Sequence, residues 1–206
     1  MKVSVNGGAP VRVTEVGGGA LRGASWSIDG AIFFSGQSAG ISRVSVEDGL
    51  VEKITIPDIE RGEKSHRYPQ VLPGGKAVLF TLGTGDIDLF DDASIAVLSL
   101  ATGDYRVVLE GGTNAHYSHT GHLVYGRRGE LVAVPFDLES ATVTGGPVTV
   151  LAGVISVPIA GTSSSIWHPK APLSIPPGRG RGRDASRGSI ASDTRKQLSG
   201  TSMTSL

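Results

Sequence analysis

ASWSIDGAIFF (residues 24–34) is the first of three copies of one pattern, which recurs as YPQVLPGGKAVLF (68–80) and AHYSHTGHLVY (115–125). Each copy has an aromatic or apolar approach, a turn that contains glycine, and a strand that ends in an aromatic residue. The closing aromatics are Phe34, Phe80 and Tyr125, which are spaced 46 and 45 residues apart. A period of about 45 residues with four strands per unit predicts the blades of a β-propeller.

Hairpin signals occur between and around these copies. Two apolar runs of period two flank a glycine-containing turn in VSVNGGAPVRVT (3–14), ISRVSVEDGLVEKITI (41–56), IAVLSLATGDYRVVL (95–109) and ELVAVPFDLESATVTGGPVTVL (130–151). No window has the apolar stripe of an amphipathic helix. The chain has 30 glycines, against roughly 14 expected at about 7% usage, which indicates many tight turns. The predicted fold class is therefore all-β, a partial propeller of four-stranded antiparallel blades.

The composition changes near residue 161. Residues 1–160 contain 12 basic and 17 acidic residues, whereas residues 161–206 contain 7 basic and 2 acidic residues. Residues 176–206 are rich in Gly, Ser and Arg, and we expect a disordered tail there, because few apolar groups are available to offset the entropy of ordering. A change of reading frame or a cloning scar is an alternative origin for this tail. The predicted units are a partial blade (1–21), three blades (22–65, 66–112 and 113–160) and a degraded blade start (161–175).

The composition also bears on partners and location. The net charge is zero, which does not favour nucleic acid as a partner, and no cysteine is present for disulfides or thiolate metal sites. The sequence indicates no cofactor. MKVSVNGGAPVRV (1–13) lacks the apolar core of a signal peptide, and no stretch approaches 18 apolar residues. The sequence as written predicts a cytoplasmic chain without a membrane segment.

The stretch GQSAG (36–40) matches the G-x-S-x-G pattern of serine hydrolases. One hypothesis is an esterase or lipase with Ser38 as nucleophile, Asp88 as acid and His119 as base. A nucleophile elbow needs a helix after the serine, but ISRVSV (41–46) alternates like a strand. The sequence favours the second hypothesis, in which Ser38 lies in a turn between two strands of one blade.

Two further groups of residues are candidate sites. His116, His119 and His122 have a short spacing, and imidazole is a common zinc ligand, but no cysteine or defined carboxylate accompanies them, so the sequence favours solvated turn histidines and no metal site. ERGEKSHRYPQ (60–70) is interpreted as a connection between blades, and such connections line the face on which propellers bind ligands. A protein or small ligand is therefore expected at four residues of this segment: Arg61, His66, Arg67 and Tyr68.

Four stretches together resemble a known family: LRGASWSIDGAIFFSGQSAGISRVSVEDG (21–49), RGEKSHRYPQVLPGGKAVLF (61–80), VLEGGTNAHYSHTGHLVYGRRGELVAVPFDLE (108–139) and VTGGPVTVLAGV (143–154). They look like the TolB-like, WD-repeat-like β-propeller repeats that follow the kinase domain in bacterial eukaryotic-like serine/threonine kinases. The resemblance implies a propeller outside the membrane that acts in sensing or interaction. The sequence contains none of the kinase motifs, so no kinase activity is implied.

These observations predict a non-catalytic propeller module for protein interaction or ligand sensing, with the serine esterase as the alternative. About three full units fall short of the four to eight blades of a closed propeller. Self-association through exposed blade edges is therefore also expected.

Overall fold

The computed structural model describes residues 1–16, 20–85 and 92–154, with the backbone of two short strands at 156–157 and 162–163. Asp88 lies outside the described residues, and so do the predicted blade start (161–175), apart from the strand at 162–163, and the predicted tail (176–206). Residues Ile59–Arg61 form a 3-10 turn, and within the described residues no helix has the length and apolar character for crossing a membrane.

The described chain forms three main antiparallel sheets. The first sheet contains β1 (Leu21–Trp26), β2 (Ala31–Gly36), β3 (Ile41–Ser45) and β4 (Val51–Lys53). The second sheet contains β5 (Glu63–Val71), β6 (Ala77–Thr84), β7 (Ser94–Ser99) and β8 (Tyr105–Glu110). The third sheet contains β9 (Thr113–Ser118), β10 (His122–Arg127), β11 (Glu130–Asp137), β12 (Thr142–Val143) and β13 (Val148–Ala152). A separate pair is formed by β14 (Ser156–Val157) and β15 (Thr162–Ser163).

Each of the first two sheets is a meander, in which each strand pairs with the next strand along the chain. Gly49 and Gly103 close the β3–β4 and β7–β8 turns with φ of +73° and +79°, a conformation that glycine adopts without a steric penalty. In the third sheet the outer edge is divided. β12 pairs with the end of β11 near Phe136, while β13 pairs with its beginning near Leu131.

The first strands of the three sheets run in the same direction. Ser25 in β1 accepts a hydrogen bond from the Val71 amide of β5, and Gln70 in β5 accepts one from the Tyr117 amide of β9. Both contacts join late positions of neighbouring first strands. The β2–β3 turn and the β4–β5 connection therefore lie at one end of the sheets, called here the connection end. The β1–β2, β3–β4 and β9–β10 turns lie at the opposite end, called the hairpin end.

The core consists of two apolar layers, one on each face of the second sheet. Between the first and second sheets lie Ala31, Phe33, Ile41, Val78, Phe80, Leu82, Ala96 and Leu98. Between the second and third sheets lie Leu72, Leu79, Ile95, Val97, Ala115, Leu123, Tyr125, Val132, Val134 and Phe136. Strand side chains alternate between faces, so consecutive apolar residues such as Leu79 and Phe80 serve opposite layers. The prediction of an all-β fold of four-stranded antiparallel sheets is confirmed.

The predicted hairpin around Asn6-Gly7-Gly8 is not a pair of strands. Its only ladder contact is an isolated bridge between Lys2 and Val11, and Val5 is fully exposed. An isolated two-stranded hairpin is marginal in water, and no described sheet covers this one. The limits assigned to the repeat units stay a prediction.

Candidate ligand-binding cavity

A cavity of about 550 Å³ lies at the connection end, where the β2–β3 turn meets the connection from β4 to β5. Its lining residues are Ser38, Ala39, Gly40, Ser42, Lys53, Thr55, Ile56, Pro57, Ile59, Gly62, Glu63 and Lys64. These residues come from the first sheet, the connection and the start of β5. The cavity therefore exists only because two consecutive sheets are packed side by side.

The β4–β5 connection is held in shape by hydrogen bonds between its own residues. The Asp58 carboxylate caps the 3-10 turn by accepting hydrogen bonds from the amides of Glu60 and Arg61. Gly62 ends the turn in the left-handed region, with φ of +76°. This turn leaves Ile56 and Ile59 outside any core, 74% and 84% exposed. The connection thus presents apolar side chains on a rigid backbone beside the cavity.

The GQSAG stretch is the β2–β3 turn. Ser38 is exposed in this turn and lines the cavity, and the chain continues from Gly40 directly into β3. Two residues of β5 donate hydrogen bonds to carbonyl oxygens of this turn. The His66 amide donates to the Ala39 carbonyl at 3.0 Å, and the Arg67 guanidinium donates to the Gln37 carbonyl at 2.6 Å. The strand–turn–helix arrangement of a nucleophile elbow is therefore absent at this described turn.

The proposed partners of Ser38 are not assembled around it. Asp88 lies outside the described residues, and His119 lies in the β9–β10 turn of the third sheet. That turn is at the hairpin end, so Ser38 and His119 are separated by at least the length of a six-residue strand, about 20 Å. A general base must lie within hydrogen-bond reach of its nucleophile. The structure does not bring this pair together.

The three histidines of the candidate metal site lie in a strand, in a turn and at the start of the next strand. His116 lies in β9, where burial lowers its pKa, and His119 is exposed in the turn. His122 begins β10, and its Nδ1 lies 2.9 Å from the Thr120 carbonyl oxygen. Among the described residues no three His, Asp or Glu side chains are placed to hold a metal ion.

A buried polar network lies beneath the cavity. The Thr55 Oγ1 lies 2.7 Å from His66 Nδ1, and the His66 Nε2 lies 3.1 Å from Glu63 Oε2. The same Glu63 oxygen accepts hydrogen bonds from the Tyr105 hydroxyl at 2.7 Å and from the Asp58 amide at 2.8 Å. The network therefore ties together the connection, β5 and β8, the outer strand of the second sheet.

The protonation states of this network follow from its contacts. Burial lowers the pKa of His66 despite the neighbouring Glu63 carboxylate, which favours a neutral ring. Burial raises the pKa of Glu63, but the hydrogen bonds from Asp58, Tyr105 and His66 outweigh it and leave that pKa lowered. Burial and the bond to Glu63 raise the pKa of Tyr105 to about 12. Glu63 is thus ionised, and a neutral His66 donates to it through Nε2.

Thr55, His66 and Glu63 have the order of a hydroxyl–imidazole–carboxylate relay, but their surroundings suit a structural role. The Thr55 oxygen already accepts the Ile41 amide at 2.8 Å, which withdraws electron density from it. The His66 ring is fully buried, with the rings of Phe80 and Tyr105 at 4.9 and 5.1 Å. This packing leaves no route for a substrate to the imidazole.

The residues predicted for the ligand site occupy different positions. Arg61 is exposed and pairs with Asp58, whereas His66, Arg67 and Tyr68 are buried in β5 rather than in a connection. Charged residues and a proline are uncommon within a buried strand. The strand accommodates Pro69 with a bulge, in which the register jumps between Arg67 and Gln70. None of the four predicted residues is among those that line the cavity.

Apart from Ser38, sequence reasoning missed the residues that line the cavity. The available signal was TIPDIERG (55–62), where Ile56 and Ile59 interrupt an otherwise polar connection. Glu63 and Tyr105 are 42 residues apart, and no local pattern could have paired them.

Neither a family model nor a curated protein matches the chain. Among solved structures, it is similar to a protein assigned as TolB from Agrobacterium tumefaciens, with a TM-score of 0.50 and 16% identity over 72% of this chain and 56% of that one. It is also similar to luciferin-regenerating enzyme, with a TM-score of 0.50 and 11% identity over 66% of this chain and 48% of that one. TolB from Acinetobacter baumannii has a TM-score of 0.48 and 18% identity over 66% of this chain. The chain spans 33% of the length of that TolB and about half of the other two. The chain has a TolB-like β-propeller fold.

Proposed function

We propose that this chain is a non-catalytic propeller module that binds a small ligand or a protein segment in the cavity at its connection end. The observation that carries the proposal is the exposure of Ile56 and Ile59 beside a cavity of about 550 Å³. That volume falls in the range of about 300–1,000 Å³ that is common for ligand sites. Apolar side chains exposed together on a rigid segment favour a binding surface.

The rigidity of the surroundings supports the same proposal. The Glu63 carboxylate holds the connection, β5 and β8 at once, so the walls of the cavity are organised before a ligand arrives. A preorganised site loses less conformational entropy on binding. By resemblance, the module would act in sensing or interaction within a longer protein of the kinase-associated type, and its blade edges would permit self-association.

The alternative function, a serine esterase with Ser38, has one observation in its favour, because Ser38 lines the cavity. One similar structure is named as an enzyme, so propeller folds do host enzymes. The absence of a helix after Gly40 and the position of His119 favour the binding module. The two functions are separable by experiment.

The test combines binding and turnover. A fragment library is screened against the chain by saturation-transfer difference NMR, with an Ile56→Ser/Ile59→Ser variant in parallel. We expect fragments whose signal is lost in this variant and kept in an Ile28→Ser/Leu50→Ser control. The control residues are 93% and 71% exposed in turns at the hairpin end.

Two results would overturn the proposal. One is a screen without any fragment that depends on Ile56 and Ile59. The other is turnover of p-nitrophenyl acetate by the wild type that Ser38→Ala abolishes.

A further inference from the structure

We infer that the cavity at the connection end takes an organic acid, a ligand with an apolar body and one carboxylate, and that Lys53 and Lys64 bind the carboxylate. This inference rests on the proposed binding function and adds the chemical class of the ligand. It follows from how apolar and charged groups are divided around the cavity.

The apolar wall comes from the connection. Ile56, Pro57 and Ile59 line the cavity, and the two isoleucines are largely exposed to solvent. Covering apolar surface in water contributes roughly 25 cal/mol for each Å². An aliphatic chain or a ring of a ligand would gain this contribution by lying against the connection.

The charged groups come from the strands on either side of the connection. Lys53 ends β4 and Lys64 is the second residue of β5, and both are exposed lining residues of the cavity. Lys53 lies opposite Ser42 in the register of β3 and β4, and both residues line the cavity. Two ammonium groups and a hydroxyl are suitable donors for a carboxylate.

Of the acidic residues near these lysines, three have other partners, and the fourth, Glu60, is exposed in the 3-10 turn and is not among the residues that line the cavity. Glu52 lies 4.0 Å from Arg43, and Asp58 pairs with Arg61 at 3.2 Å. Glu63, the one carboxylate among the lining residues, directs an oxygen inward to Asp58, Tyr105 and His66 and is 6% exposed. Neither lysine makes an ion pair with a residue that the structure describes.

The charge balance therefore favours an anion. Two cations and one inward-facing carboxylate leave a net positive charge at the cavity, in a region (1–160) where acidic residues outnumber basic ones by 17 to 12. A neutral ligand would use only the apolar wall, and a cationic ligand would meet both ammonium groups. Charge complementarity of this kind selects among ligands of the same shape.

The test uses three eight-carbon probes that differ in their head group: sodium octanoate, 1-octanol and octylammonium chloride. Binding is measured by saturation-transfer difference NMR titration at pH 7.5 and low salt. We expect octanoate to bind most tightly, and Lys53→Gln/Lys64→Gln to weaken octanoate about tenfold while the affinity for 1-octanol is unchanged. Lys53→Arg/Lys64→Arg should retain most of the affinity for octanoate.

Lys76→Gln is the matched control, since Lys76 is an exposed lysine at a different cavity. Urea unfolding of each variant checks that the fold is retained. Equal affinities for octanoate and 1-octanol, or octanoate binding unchanged in Lys53→Gln/Lys64→Gln, would overturn the organic-acid inference and leave the binding module intact. Failure of all three probes to bind would count against the cavity as a binding site, and so against the proposed function itself.

Discussion

Gly40 shows how a motif of an enzyme family can arise from packing alone. A Cβ atom built on Gly40 would lie 1.8 Å from the Thr55 carbonyl oxygen and 2.9 Å from the Thr55 hydroxyl oxygen. Only glycine permits that approach of the β2–β3 turn to the connection. Gly36, the other glycine of GQSAG, has no comparable restriction, because its nearest contact would be the Ala39 Cβ at 3.7 Å.

This difference predicts unequal effects of two alanine substitutions in one motif. Gly40→Ala should lower the free energy of unfolding by about 2–4 kcal/mol, since the turn or the connection must move to remove the clash. Gly36→Ala should change it by less than about 1 kcal/mol. Urea denaturation followed by far-UV circular dichroism measures both, and equal effects would contradict the packing role of Gly40.

At the scale of elements, the connection, β5 and β8 share the network around Glu63. The sign of its pH dependence follows from the lowered pKa values of His66 and Glu63. Below the ordinary histidine value of 6.5 the unfolded chain binds a proton that folded His66 does not. Stability from this ring is therefore complete above pH 6.5 and is lost as the pH falls. Glu63 adds a loss in the same direction below its ordinary value of 4.5.

We expect the free energy of unfolding in urea to decrease between pH 7.5 and pH 5. A single histidine can contribute at most about 1.4 kcal/mol per pH unit. His66→Gln should be less stable than wild type at pH 7.5, because it loses ring contacts to Phe80 and Tyr105, but its profile should be flatter. His119→Gln, at an exposed turn position, should keep the wild-type slope. If the free energy of unfolding of His66→Gln depends on pH as steeply as that of the wild type, the His66 ring is not the source of the pH dependence.

The repeated aromatic has an explanation at the same scale. Phe34, Phe80 and Tyr125 are each the fourth residue of the second strand in a sheet. Phe80 packs in the layer shared with the first sheet, and Tyr125 packs in the layer shared with the second. In the second and third sheets, the aromatic residue that ends the repeated pattern thus faces the preceding sheet. The 45-residue period reflects this contact between neighbours.

At the scale of the whole molecule, the second sheet contributes to both apolar layers and couples the outer sheets. Leu79 is fully buried in the layer toward the third sheet, while its neighbours Val78 and Phe80 pack toward the first. In repeat folds, stability is the sum of the units and of their interfaces. Loss of packing on one side of the second sheet should therefore also destabilise the layer on its other side.

Leu79→Ala should lower stability by about 2–5 kcal/mol. Native-state hydrogen exchange should show faster exchange of the amides of β2 as well as those of β10, although Leu79 is absent from the layer that contacts the first sheet. Val51→Ala, at a half-exposed position of the edge strand β4, is the control. It should leave the exchange rates of the β2 and β10 amides unchanged. Faster exchange confined to β10 would show that the sheets unfold independently.

The sequence by itself determined the all-β fold, the four-strand units and the place of Ser38 in a turn. Those features depend on local signals: period-two apolar runs, glycine turns and a repeated aromatic, all read within about 45 residues. The prediction for residues 60–70 placed His66, Arg67 and Tyr68 in a connection, whereas they lie in β5. The bulge that accommodates Pro69 depends on the pairing of β5 with β6, which the local sequence does not reveal. The hairpin at residues 3–14 had the right local signal but lacked a covering sheet.

Only the tertiary structure decided where the cavity lies and which residues serve it. Lys53 and Lys64 belong to different sheets, and Glu63 meets Tyr105 across 42 residues of sequence. Such pairings depend on how two sheets pack, and packing is a property of the assembled faces. For the same reason GQSAG resembles a nucleophile motif in sequence, while in the fold its second glycine makes room for the backbone of Thr55.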